Sequence, residues 1–110
     1  MQTRLLIPEF TVVKPQNSIT AANAYLFERK LATALIKNSH SRLLVDLKQV
    51  EHIDSAGLMA LISSCKLAQS LQTRFSLCSV SPSLKIIIEL TQLDRVLEIF
   101  ESKAKYTESL

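Results

Sequence analysis

Residues 42–68 read RLLVDLKQVEHIDSAGLMALISSCKLA and contain the only glycine of the chain, Gly57. The apolar run Leu43–Leu47 is typical of a buried strand. From Leu58 to Leu71, apolar residues recur at helical spacing, so the pattern predicts a helix after this strand. Because a chain of 110 residues uses glycine only here, Gly57 indicates a close approach of two backbones at the helix start, where a Cβ would collide.

The segment between the strand and the helix is the first place to look for function. Ser55 is predicted to be the helix N-cap, with its hydroxyl near backbone N–H groups that have no partner within the helix. Asp54, directly before it, is a second candidate for capping the same helix. A role as helix caps would therefore explain both residues without any function, and a functional hypothesis must be weighed against it.

Composition limits the class of protein. The length and the 47% apolar content fit a single domain over residues 1–110 with an ordinary core. No apolar run approaches the roughly eighteen residues of a membrane span, and Met1–Ile7 lacks the pattern of a signal peptide. Cys65 and Cys78 have no histidine at ligand spacing, which favours buried thiols in a reducing compartment. We therefore expect a cytoplasmic protein with no membrane partner.

The positive charge of the chain is too small and too dispersed to indicate a nucleic-acid partner. Thirteen Lys and Arg residues against ten Asp and Glu residues leave a net charge of +3. Arg29 and Lys30 are the only adjacent basic pair, and the few aromatic residues are not interleaved with basic clusters. Nucleic-acid-binding domains gather basic charge on one face. No direct contact with nucleic acid is expected.

Strands and helices alternate along the rest of the chain, which predicts an α/β fold. Strands separated by helices of this length need crossover connections, so we expect a mixed, mostly parallel sheet of four to five strands with helices packed against it. The predicted strands are Leu5–Ile7, Phe10–Val13 and Phe75–Val80, with a turn at Lys14–Ser18 and either a short strand or a helical turn at Val96–Phe100. The first predicted helix runs to Lys37, and its inner face consists of Ala24, Phe27, Leu31, Ala34 and Leu35. A later helix is capped by Ser81, has Pro82 in its first turn, and is expected to bury Leu84, Ile87, Ile88 and Thr91. The tail over residues 101–110 is polar and is interpreted as a frayed helix.

The sequence argues against an enzyme. It has no Gly-x-Ser-x-Gly elbow, and one glycine cannot build an oxyanion loop, a P-loop or a dinucleotide-binding turn. His40 and His52 have no partners at metal-ligand spacing. We expect no catalytic residue, no metal and no cofactor.

Two blocks of the sequence resemble the STAS domain, the module shared by anti-sigma factor antagonists and the tails of sulphate transporters. Residues 42–68 match the family pattern of a hydrophobic strand ending in Asp, here Asp46, followed by Asp-Ser-x-Gly-Leu at residues 54–58. Residues 78–100, CSVSPSLKIIIELTQLDRVLEIF, resemble the second block of the family, a strand, Ser-Pro, a helix and a last strand. The resemblance covers about residues 17–100 and implies a STAS-like α/β fold.

The resemblance also implies a function. In bacterial antagonists of this family a partner kinase, which is also the anti-sigma factor, phosphorylates the serine after the Asp, here Ser55, and a phosphatase reverses the modification. A phosphate at a helix N-terminus faces backbone N–H groups and the positive end of the helix dipole. Thr20 stands where many relatives carry an acidic residue before the first helix. The residues expected to contact the partner or kinase are Thr20, Asp54, Ala56, Gly57 and Leu58.

Two alternatives remain open at this stage. In a constitutive STAS scaffold, Ser55 would be only a helix cap. In a ligand-sensing domain, the start of this helix around Asp54 and Ser55 would bind a nucleotide or a lipid. Ser63 and Ser64, on the predicted helix, are interpreted as ordinary helix positions.

Overall fold

The structure is a computed structural model that describes residues 9–110. The predicted strand Leu5–Ile7 lies outside these residues. None of the helices in residues 9–110 is both long enough and apolar enough to cross a membrane. The strands are β1 Thr11–Val13, β2 Asn17–Ile19, β3 Arg42–Asp46, β4 Val50–Ile53, β5 Arg74–Cys78 and β6 Glu98–Phe100, and the helices are α1 Ala24–Lys37, α2 Ser55–Ser70, α3 Pro82–Leu90 and α4 Lys103–Glu108.

The strands form two sheets. The larger has four strands in the order β1-β3-β5-β6, and a separate pair joins β2 to β4. All strand pairings in the described part of the chain are parallel, so the α/β prediction is confirmed and the sheet is less mixed than expected. Strand β2 replaces part of the predicted turn at residues 14–18, and β4 was not predicted, because both are short and carry polar residues.

Alternation along the strands divides the core between the two faces of the larger sheet. Leu43 and Val45 of β3 belong to the main cluster, which α1, α2 and α3 cover, whereas Leu44 faces the opposite side. The predicted inner face of α1 is confirmed, with Ala34 only half-buried. Its buried residues are Ala24, Phe27, Leu31 and Leu35.

Helix α3 buries a narrower face than expected. Ser81 caps it and Pro82 lies in its first turn, as predicted, and Leu84 and Ile88 are buried. Ile87 and Thr91, however, are exposed, which corrects the predicted inner face. At 100° per residue, positions 84 and 88 lie within 40° of each other, and a helix that touches the sheet along this line leaves position 87 at its side.

The C-terminal tail is helical, as expected, but docked rather than frayed. Tyr106 of α4 is completely buried on the second face of the sheet. Its ring meets Phe10 and Phe100 edge-on, with centroids 5.0 and 5.2 Å away. One aromatic side chain thus anchors an otherwise polar helix. Cys78 is buried in the same cluster, and Cys65 is buried on the inner face of α2, so the predicted burial of both thiols is confirmed.

Candidate functional site at the start of helix α2

The small sheet brings two helix starts together. Its strands β2 and β4 are parallel, with Ile19 opposite Ile53. Strand β2 leads into α1, and β4 leads into α2. Because the carboxyl ends of parallel strands meet at one edge, the turn before α1 lies beside the first turn of α2. The Asp54 N–H donates to the Ile19 carbonyl across this edge at 3.2 Å.

Gly57 makes this close approach possible. A Cβ at position 57 would lie 2.6 Å from the Ile19 carbonyl oxygen and 2.7 Å from Ile53 Cγ2. Its φ is not positive, so the position requires space rather than the backbone freedom of glycine. The interpretation of the single glycine from sequence is confirmed.

Asp54, not Ser55, is the N-cap of α2. Its backbone is extended and its Oδ1 accepts the Gly57 N–H at 3.0 Å. Its Oδ2 accepts the Ala21 N–H, also at 3.0 Å, from the turn before α1. One carboxylate therefore links the first turn of α2 to the turn before α1, with one oxygen for each. The prediction that Ser55 caps the helix is wrong, because Ser55 is already its first helical residue.

The hydrogen bonds to Asp54 favour its charged form. The Gly57 N–H has the largest effect and lowers the pKa of this carboxyl, and the Ala21 and Ala56 N–H groups act in the same direction. His52 also lowers it, through its charge. Asp54 is thus an ionised group beside Ser55 at neutral pH.

Ser55 presents an unused hydroxyl at the corner where the first turn of α2, from Asp54 to Leu58, meets the turn before α1, from Thr20 to Asn23. Its side chain is exposed. No hydrogen bond joins the Ser55 hydroxyl to another group in residues 9–110. The first bond of the helix ladder runs from Leu58 N to Asp54 O at 2.9 Å, so the N–H groups of Ser55 and Ala56 have no carbonyl partner within the helix. The hydroxyl thus lies next to backbone donors and an ionised carboxylate.

Thr20 lies in the turn that Asp54 holds. Its N–H donates to Asn23 Oδ1 at 2.8 Å, and its Oγ1 accepts the Ala22 N–H at 3.3 Å. The next residue, Ala21, donates its N–H to the Asp54 carboxylate. Thr20 is therefore one residue away from the hydrogen bonds of Asp54. Thr20 is therefore close to the corner, as predicted, and a neutral side chain stands there.

The remaining predicted residues differ in accessibility. Ala56 and Leu58 are half-buried and pack on the main cluster, and Gly57 is buried. Met59, which the sequence reasoning missed, is 57% exposed. It follows Ser55 by four residues, a spacing that places both on one side of α2, and this spacing is the signal that would have found it.

Comparison with known proteins assigns this fold to a family. The model of the STAS domain matches residues 4–106. The chain belongs to the STAS domain family.

Several relatives carry names related to sigma-factor control. A protein of Thermotoga neapolitana, named as a candidate anti-sigma factor antagonist, is 23% identical over 105 residues, covering 96% of this chain and 93% of that protein. The crystal structure of a candidate anti-sigma factor antagonist of Thermotoga maritima has a TM-score of 0.82 at 26% identity, covering 91% of this chain and 86% of that one. The phosphorylated form of SpoIIAA from Bacillus shares the fold at 13% identity, with a TM-score of 0.70 and coverage of 99% and 98%.

Proposed function

We propose that this protein is a regulatory binding module of the anti-sigma factor antagonist type, switched by phosphorylation of Ser55. The unmodified form binds a serine-protein kinase that is also an anti-sigma factor, and so releases what that partner holds. The phosphorylated form does not bind, and a phosphatase restores it. The switch operates in the cytoplasm and requires no catalytic residue or cofactor in this chain.

The observation that carries this proposal is the unused hydroxyl of Ser55. The capping role that a serine at this place would ordinarily fill belongs to Asp54, whose carboxylate accepts the Gly57 N–H. Modification of Ser55 therefore removes no hydrogen bond among the described residues. An exposed hydroxyl on the first residue of a helix is also accessible to a kinase.

Charge explains how one phosphate would alter binding without unfolding the domain. The phosphate adds about −1.5 to −2 charges, and the positive end of the α2 dipole favours an anion there. Asp54, whose pKa is lowered, is ionised next to it. The corner thus changes from one negative charge to about three, and a partner surface fitted to the neutral hydroxyl would be repelled.

The surface around Ser55 contains apolar area that a partner can bury. Met59 lies one turn along α2 and is largely exposed, and Leu58 is half-buried beside it. Thr20 lies across the corner in the turn before α1. An interface with an apolar centre and a hydroxyl at its edge would be sensitive to a phosphate at that edge.

The relatives support the same function. Their names describe anti-sigma factor antagonists, and SpoIIAA, which shares the fold, has structures in both the unphosphorylated and the phosphorylated form. A serine at the first position of α2 with no structural duty is the feature of this chain that such a mechanism needs.

The scaffold alternative is less favoured, because it assigns Ser55 the capping role that Asp54 fills. The ligand-sensing alternative would place a cavity at the corner. A cavity of about 380 Å³ between α3 and β6 shares no residue with the corner, and one of about 200 Å³ beside β2 and α1 reaches Asn23 but is not lined by Asp54 or Ser55.

A binding experiment with matched variants tests the proposal. Tagged wild type, Ser55→Ala and Ser55→Asp are used to recover partners from cells of the source organism. Ser63→Ala and Ser63→Asp are the controls, because Ser63 is also exposed on α2 but outside its first turn. We expect Ser55→Ala to recover a protein with a kinase-type ATP-binding domain and Ser55→Asp to lose it, while both Ser63 variants behave as wild type. Equal recovery by the two Ser55 variants would contradict the proposal.

A further inference from the structure

Helix α3 carries more apolar surface than the fold covers. Five of its nine residues are Leu or Ile, yet only Leu84 and Ile88 are buried. Ile86 is 57% exposed and Leu90 79% exposed. These two residues are four apart and form an outward stripe opposite the buried face. A helix that is hydrophobic around most of its circumference is typical of one covered on more than one side.

Two opposite charges run along one flank of this stripe. Lys85 and Glu89 are four residues apart and lie on the same side of the helix. Neither takes part in an ion pair within residues 9–110. The outer surface of α3 therefore combines an apolar pair with a positive and a negative charge in the same spacing.

We propose that this surface binds the same surface of a second copy of the chain, with the two α3 helices antiparallel. In that arrangement a two-fold axis crosses the helix near its centre. Ile86 of one protomer packs on Leu90 of its partner, and Lys85 faces Glu89, each contact occurring twice. Two opposite charges at this spacing are self-complementary under such an axis, and two-fold dimers are the commonest oligomers.

The antiparallel direction follows from the single charged flank. In an antiparallel helix pair, a flank of one helix meets the same flank of the other, so Lys85 meets Glu89. In a parallel pair, the charged flank would face the opposite flank, which carries Ser83 and Ile87 and offers no charge. The charge pattern thus selects a second copy in one orientation.

The small contact area predicts a weak dimer. A surface made by one nine-residue helix is smaller than the roughly 800 Å² per partner of a standard interface. We expect a dissociation constant above about 10 µM, so the association must be measured at high protein concentration. None of the α3 residues belongs to the Ser55 corner, and the inference does not depend on the proposed function.

Sedimentation velocity over a range of concentrations tests the dimer. We expect wild type to pass from monomer to dimer as concentration rises, and Leu90→Glu to remain a monomer. Ile36→Glu is the control, because Ile36 is also exposed on the surface, at 62%, but lies on α1. It should associate as wild type does, as should Ser55→Asp. A wild type that is monomeric up to about 1 mM, or equal loss in Leu90→Glu and Ile36→Glu, would overturn the proposal.

Charge exchange tests the register. Lys85→Glu and Glu89→Lys should each weaken the dimer about tenfold, and the double variant Lys85→Glu/Glu89→Lys should restore it, since the pairs are re-formed in reverse. Asp94 and Glu101 line the same cavity as Lys85 and Glu89, so the surroundings are acidic. If the acidic charge of these surroundings rather than pairing governed association, Glu89→Lys would strengthen the dimer. That result, or failure of the double variant to recover, would overturn the proposed pairing.

Discussion

The starts of α2 and α3 resemble each other in sequence but use their serines differently. At α3, Ser81 precedes the helix and its hydroxyl accepts the Leu84 N–H at 3.3 Å. At α2, Asp54 performs this role, and Ser55 is moved one position into the helix with its hydroxyl free. At these two helix starts, the residue before the serine thus decides whether the serine caps the helix. The serine released from capping is the one that we propose is modified.

The two helix starts also differ in how tightly they are packed. The first turn of α2 approaches the Ile19 carbonyl through Gly57, and the Asp54 carboxylate reaches the Ala21 N–H beyond it. Helix α3 begins instead with Pro82, which has no N–H to satisfy. We therefore expect substitutions at the start of α2, except at Ser55, to lower the free energy of unfolding more than substitutions at the start of α3.

The largest effect is expected for Gly57→Ala. Alanine favours a helix over glycine by about 1 kcal/mol, but its Cβ would lie 2.6 Å from a backbone oxygen that cannot rotate away. Overpacking of this kind costs about 1–3 kcal/mol or more, so we expect a net loss of about 2 kcal/mol in the free energy of unfolding. Urea denaturation measures it. A stabilised variant would show that the start of α2 can move away from β2 at no cost.

Removal of the Asp54 carboxylate should come next. Asp54→Ala loses acceptors for the N–H groups of Gly57 and Ala21, so its loss of stability should exceed that of Ser81→Ala, which removes one longer bond. Denaturation of both variants under the same conditions gives the order. A smaller loss for Asp54→Ala would contradict the assignment of Asp54 as the link between the two helices.

The contribution of Asp54 to the free energy of unfolding should decrease as the pH falls. The pKa of its carboxyl is lowered in the folded state, chiefly by the Gly57 N–H. The stabilisation is therefore fully present above the unfolded value of about 3.9 and lost as the pH falls through the folded pKa. The difference in unfolding free energy between wild type and Asp54→Asn should be constant from about pH 6 to 5 and shrink below about pH 4. A difference that grows as the pH falls would contradict a lowered pKa of Asp54 in the folded state.

The smallest effects separate the two serines directly. Ser81→Ala removes a cap and should cost about 1 kcal/mol. Ser55→Ala removes no hydrogen bond in the described structure and should change stability by less than about 0.5 kcal/mol. Thermal and urea unfolding of both proteins would measure the contrast. Equal losses would mean that Ser55 has a structural duty after all.

Much of the fold could be predicted because its signals are local. The apolar run of β3, the spacing along α1 and the Ser-Pro start of α3 are each contained in a few residues. Strands β2 and β4 could not be predicted, since three and four residues of mixed polarity form a strand only when a partner is present. The docking of α4 was missed for the same reason, because it depends on Tyr106 meeting Phe10 and Phe100.

The position of the site in the chain could be predicted from the sequence, but the roles of Asp54 and Ser55 within it could not. A single glycine between a strand and a helix identified the corner, and its close packing is confirmed. The cap of α2 is a local bond from the Gly57 N–H to Asp54, and the sequence left Asp54 and Ser55 as competing candidates for it. The second bond of Asp54, to the Ala21 N–H 33 residues earlier in the chain, could not be predicted, because no local pattern contains that distance. The capping bond of Asp54 is what leaves the Ser55 hydroxyl free.

Mass spectrometry of phosphopeptides from the protein isolated from its own cells tests the central claim most directly. The tryptic peptide from Gln49 to Lys66 contains Ser55, Ser63 and Ser64, so fragmentation must locate the phosphate. The account predicts phosphate on Ser55 alone, in an amount that changes with growth condition. A peptide that is unmodified under all conditions, or modified at Ser63 instead, would contradict it.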